Sequence, residues 1–176
     1  MGKRIIQRAR GKGSLTYRSP GHRFAGDAGY PRDGVVKVID LIHDAARDAP
    51  LAKVVDSEKR ETLIIATEGM RVGQEITVNA KKPVIGNIMK LKDIPKGASV
   101  FAVENIPGSG PQLCLSPGTR ALVVGQDGNN VTLKMPSKSF KKIKAACLAT
   151  LGVPAGGGAR DKPFYKAGQK MHMMRA

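Results

Sequence analysis

The sequence predicts an all-β fold of two small modules in tandem, flanked by basic arms. Three observations carry that reading. From Val35 onward, short runs of β-branched and aliphatic residues recur between turn-forming clusters. Hydrophobic residues make up 41% of the 176 positions with no Trp among them, so a core must be built from Val, Ile, Leu and Ala. The 30 Lys and Arg against 14 Asp and Glu give a net charge of +16, and that charge is unevenly spread.

Residues 1–34 carry eight basic and two acidic side chains, and seven glycines and two prolines interrupt any apolar periodicity. This stretch is predicted to be an extended basic arm. Strands are expected at 35–42 (VVKVIDLI), 51–56 (LAKVVD), 61–66 (ETLIIA) and 74–78 (QEITV), with Asp56 to Lys59 as a turn. That first set is mildly acidic, six basic against eight acidic residues over 35–80. Lys81-Lys82-Pro83 reads as a linker. A second set follows at 86–91 (GNIMKL), 99–106 (SVFAVENI), 112–115 (QLCL), 120–125 (RALVVG) and 130–135 (NVTLKM), with turns at 95–97 and 126–129. Residues 141–151 suit a short helix or a strand, and the Leu-Gly-Val-Pro that ends them favours the strand. From Pro154 a glycine run, Gly156 to Gly158, opens a second basic arm of net charge +4 over 151–176.

The chemistry-bearing residues are sparse. His43 next to Asp44 has no nucleophile elbow beside it, and His22 and His172 lie in the arms, so no catalytic set is assembled. Asp40, Asp44 and Asp48 fall four apart, and a solvated acidic loop is the expectation. Cys114 and Cys147 belong to no CxxC pair and are expected as reduced, partly buried thiols; a bridge requires their strands to meet. No metal, cofactor or small-molecule site is predicted, and GxxxxGK[ST] is absent. No apolar run approaches the ~18 residues that cross a bilayer, and the N-terminus opens on charge rather than a signal sequence, so a cytoplasmic protein is expected.

A strongly basic surface seeks polyanions. In the first arm Arg4, Arg8, Arg10, Lys12, Arg18, Arg23 and Arg32 alternate with Tyr17, His22, Phe24 and Tyr30, cations for phosphates between flat rings that stack on unpaired bases. Six arginines to two lysines favour bidentate phosphate contact. In the second arm Gly156, Gly157 and Gly158 precede Arg160, Lys162, Lys166 and Lys170. Glycine allows a backbone close to phosphate, and a plain flexible linker fits the same composition equally well.

Three runs carry a specific resemblance: Arg10 to Arg23 (RGKGSLTYRSPGHR), Gly86 to Gly97 (GNIMKLKDIPKG) and Gly156 to Gly168 (GGGARDKPFYKAG). In that order they resemble the universal large-subunit ribosomal protein two, in its archaeal and eukaryotic branch, over essentially the whole chain. The resemblance implies an N-terminal extension (1–34), an OB-like barrel (35–80), an SH3-like barrel (84–153) and a C-terminal extension (154–176). It implies binding to large-subunit rRNA beside neighbouring ribosomal proteins, within the large subunit. The family helps to organise the region near the peptidyl transferase centre and the subunit interface, while bond-making is RNA chemistry. Members usually continue into a glycine-rich stretch with an Asp-His-Pro signature that this sequence does not contain, so that histidine's role transfers neither to His172 nor to another histidine here. Lys138 stands where relatives often carry Gly.

Two other readings compete. A free translation factor of SH3-like and OB modules, resembling initiation factor five A, would need a modified lysine at an exposed tip such as Lys96 or Lys138, but that family places the SH3-like module first. An enzyme acting on RNA would need a carboxylate or His cluster in a basic cleft, and here the acids concentrate in the least basic segment.

Overall fold

The computed structural model describes residues 5–13, 17, 21–158, 161 and 163–175. Ten strands form one sheet: β1 Gly34–Ile42, β2 Leu51–Val55, β3 Glu61–Ile65, β4 Glu75–Val78, β5 Ile88–Lys90, β6 Ser99–Phe101, β7 Ala121–Asp127, β8 Asn130–Lys134, β9 Phe140–Lys144 and β10 Leu148–Leu151. Their spatial order is β3-β2-β1-β4-β5-β10-β6-β7-β8-β9. β1 pairs antiparallel with both β2 and β4, which curls the first four strands into the expected OB-like module. β10 returns to pair with β5 and β6, closing the SH3-like module.

Each barrel has its own apolar interior. Val36, Val38, Ala52, Val54, Ile64, Ile76 and Val78 fill the first; Met89, Leu91, Val100, Val123, Val131, Leu133 and Ile143 fill the second. Alternation along β4 and β8 puts Ile76 and Val78, and Val131 and Leu133, inward, as period-two patterning requires. The modules also share an interior: Leu51 and Ile65 of the first pack with Phe101 and Ala102 of the second. One parallel bridge, Val78 to Ile88, joins the half-sheets, and Asn87 reinforces it by accepting from the Thr77 amide at 3.1 Å.

Two expected strands are shorter than their composition suggests. The run 99–106 stops as strand at Phe101, because Ala102 turns into the left-handed region at φ 51°. The run 112–115 forms a single bridge, Leu113 to Val103, because Cys114 sits at φ 57°. The two turned residues meet, the Ala102 amide donating to the Cys114 carbonyl at 3.3 Å. Residues 141–151 form no helix: they supply most of β9 and all of β10.

The arms are not wholly extended. Ile6–Gly11 is a helix, α1, and Ala167–Arg175 a second, α2. Their Ala, Gln, Arg, Lys and Met are good helix formers, and glycine over the whole arm obscures these locally helix-prone windows. The last third of the first arm is docked. The Ala25 amide donates to Asp44 Oδ1 at 3.1 Å, Gly26 accepts from Arg47 at 2.8 Å, and Ala28 bridges Leu63.

Candidate nucleic-acid interface

The first arm presents Arg8, Arg10 and Lys12 exposed on and just beyond α1. The Arg10 guanidinium lies over the Tyr17 ring, 5.8 Å from its centre, so two of the expected RNA-binding residues form one cation–π pair. Arg23, Phe24 and Arg32 are exposed. His22 lies in a 3-10 turn, Gly21–Arg23. Arg4 and Arg18 lie outside the described residues. Among the described residues the ion pairs are Arg47–Asp44, Lys53–Glu61 and Arg60–Glu58, so none of the described arm cations Arg8, Arg10, Lys12, Arg23 and Arg32 is paired with a described carboxylate.

Tyr30 departs from the expectation. Its ring packs, half-buried, against the shared interior, and its hydroxyl donates to the Ala102 carbonyl beside Thr150 Oγ1 at 3.4 Å. Burial, helped by the Glu104 charge and only partly offset by the Thr150 hydrogen bond, pushes the phenol far above its ordinary pKa. It is a fastener between modules, not a ring offered to bases. Asp44 departs too. Flanked by the exposed Asp40 and Asp48, it is itself buried. Burial opposes its charge, yet the hydrogen bonds from Ala25 and Ala46, then Arg47 and His43, outweigh that and hold the carboxyl below its usual range.

In the second arm Gly156, Gly157 and Gly158 are exposed, and one side of the run is packed against the protein itself. A Cβ on Gly157 would lie 3.0 Å from Gly118 Cα, and one on Gly118 would lie 3.1 Å from Gly157 Cα. Gly156 and Gly158 have φ of 83° and 78°. The run edges a cavity of about 860 Å³ whose walls include His43, Ser116, Phe164, Tyr165 and Met173. Lys166 and Lys170 are exposed, whereas Arg160 and Lys162 lie outside the described residues. Upstream, Pro154 bridges Thr67, and the Ala155 amide donates to Ala66 at 2.9 Å, which fixes where this arm departs.

Cys114 and Cys147 are free thiols, half-buried and buried, and burial raises both pKa values, which leaves them poor nucleophiles. Among the described residues, no three His, Cys, Asp or Glu side chains come together as a metal site. Sequence reasoning did not single out the lysines of β8 and β9. The alternating Phe-Lys-Lys-Ile-Lys of 140–144 was the signal that could have found them.

Exposed cations and rings on arms that leave a β body define an RNA-binding protein class. The comparisons make the class particular. Residues 3–78 match the family described as "Ribosomal Proteins L2, RNA binding N-terminal domain", and residues 84–176 match "Ribosomal Proteins L2, C-terminal domain". The chain is 41% identical over 185 residues to "Large ribosomal subunit protein uL2" of Methanothermobacter thermautotrophicus, covering all of this chain and 77% of that relative. It is 43% identical to the protein of that name in Methanocaldococcus jannaschii, over all of this chain and 76% of the relative. In Picrophilus torridus the identity is 44%, over 96% of this chain and 72% of the relative. The chain belongs to the ribosomal protein L2 family.

Proposed function

We propose that the chain is a structural, rRNA-binding component of the large ribosomal subunit, with both arms contacting large-subunit rRNA among neighbouring ribosomal proteins. One observation carries the reading: the arms are anchored to the body by hydrogen bonds at Asp44, Arg47, Leu63 and Ala66, while their described cations face outward without carboxylate partners. Anchoring fixes where an arm leaves the body, and uncompensated charge supplies attraction to phosphate. The role is organisation of RNA. We assign 1–34 and 154–176 to the two extensions, and 35–80 and 84–153 to the OB-like and SH3-like barrels. The OB-like module precedes the SH3-like one, the reverse of the order in the free translation factor.

Co-sedimentation of the tagged chain with large subunits through a high-salt wash tests this. Retention is expected. Release into the free fraction at salt that leaves other subunit proteins bound would overturn it.

A further inference from the structure

The SH3-like module carries a surface that the arms do not explain. β8 and β9 pair in continuous register, with Lys134 opposite Phe140, Thr132 opposite Lys142 and Asn130 opposite Lys144. Alternation puts these six on one face, while Val131, Leu133 and Ile143 point into the core. The outer face therefore sets a phenylalanine that is 64% exposed beside Lys134 and Lys142, with Lys144 further along β9. No Asp or Glu occurs between Asp127 and Asp161 in the chain. Among the described residues, no carboxylate lies within ion-pair distance of Lys134, Lys142 or Lys144.

β9 is the last strand of the sheet, and lysines on an edge commonly discourage pairing with a second chain. That accounts for Lys142 and Lys144. It does not account for Lys134, which stands on an interior strand. Nor does it account for Phe140, whose ring adds apolar area to an edge in need of protection. Side chains on directly opposed residues have Cβ atoms about 4.5–5.5 Å apart, so the Lys134 stem starts beside the ring. A flat apolar face bordered by unpaired ammonium groups complements an unstacked base and its flanking phosphates.

We propose that the outer face of β8 and β9 is a platform for single-stranded RNA, with Phe140 stacking one unpaired base and Lys134 and Lys142 holding the adjoining phosphates. The proposal rests on the reading of the chain as an rRNA-binding protein and extends that reading from the arms to a folded surface.

The test uses the full chain with two probes, an RNA hairpin closed by a loop of unpaired uridines and a blunt RNA duplex. Phe140→Leu keeps an apolar side chain but removes the π face. It is expected to weaken binding to the looped hairpin about five- to a hundredfold and to leave duplex binding unchanged. Lys134→Gln and Lys142→Gln should each lower the slope of log affinity against log salt by about 0.7 on the looped probe. The chain has no Trp, so Phe140→Trp installs a sole indole at the platform. It should retain binding, and its emission should be quenched by the looped hairpin and not by the duplex. The platform is overturned if Phe140→Leu discriminates between the probes as the parent does, or if the indole is unquenched at saturation. In either case the wider RNA-binding reading survives. If the parent binds neither probe, both readings fall. Should Phe140→Leu melt early, the indole measurement decides alone.

Discussion

Gly157 has a reason to be glycine within the protein itself, beside the approach to RNA that its composition suggests. A glycine that merely admits RNA would leave the free protein indifferent to a methyl group. Here the methyl meets Gly118 Cα at 3.0 Å, a backbone atom that must shift by a few tenths of an ångström to admit it. Gly157→Ala is therefore expected to destabilise the RNA-free protein by about 1–3 kcal/mol through overpacking. Urea denaturation of the free chain checks it, and unchanged stability with impaired incorporation into subunits would return the residue to the RNA. Lys138 makes the opposite case. At the β8–β9 turn it holds φ 68°, a conformation that costs an L residue roughly 1–2 kcal/mol and glycine almost nothing. Lys138→Gly should raise stability by up to about 1 kcal/mol, after glycine's extra unfolded-state entropy is subtracted. The sign is read from the urea midpoint at constant slope.

Among the elements, the docked stretch from Ala25 to Pro31 differs in kind from the arm before it. Asp44 anchors one end of it. Because its carboxyl titrates lower in the folded protein than in the unfolded chain, its contribution is complete above the unfolded value of about 4. It is lost as pH falls through the lower folded value. The stability gap between the parent and Asp44→Asn should accordingly be constant from pH 7 to 5 and close at more acidic pH, as followed by urea melts across that range. Tyr30 anchors the other end. Tyr30→Phe leaves the Ala102 carbonyl, within the shared interior, without its donor and should cost about 1–3 kcal/mol. Neither anchor could be read from the sequence. The strands could, because Val36, Val38, Ile76 and Val78 alternate with residues that face water. Tyr30 was legible only as one ring among several, since its partners stand 72 and 120 residues away. Asp44 was equally hidden among like neighbours: Asp40 and Asp48 flank it at the same spacing, and only the fold selects which is enclosed. The arm cations were legible as charge, because unpaired arginine needs no partner to be recognised.

At the scale of the whole molecule, these anchors place the boundary of the free arm near Phe24 rather than at Gly34. Removal of residues 1–24 should leave the urea midpoint of the body nearly unchanged. It should also flatten the salt dependence of RNA binding by about 0.7 to 0.9 in slope for each phosphate that the arm no longer neutralises. Removal of residues 1–34 should flatten the salt dependence as well but, unlike the shorter deletion, destabilise the body, since Tyr30 leaves with it. Equal stability of the two deletions would show that the docked stretch contributes nothing. The shared cluster of Leu51, Ile65, Phe101 and Ala102 has a related outcome: the barrels should unfold together, giving one transition in calorimetry.

The Tyr30 hydroxyl also sets a clock. Its acceptor Ala102 is made 72 residues later, and at about 5–20 residues per second that interval is roughly 4 to 14 s of synthesis. Until then the segment from Ala25 to Pro31 has its contacts at Asp44, Arg47 and Leu63 but no acceptor for the Tyr30 hydroxyl. The nascent N-terminal arm thus emerges early and stays on a loosely held tether. Under the proposed role the arm meets RNA before β6 and the Ala102 that follows it are made, and their arrival completes the docking.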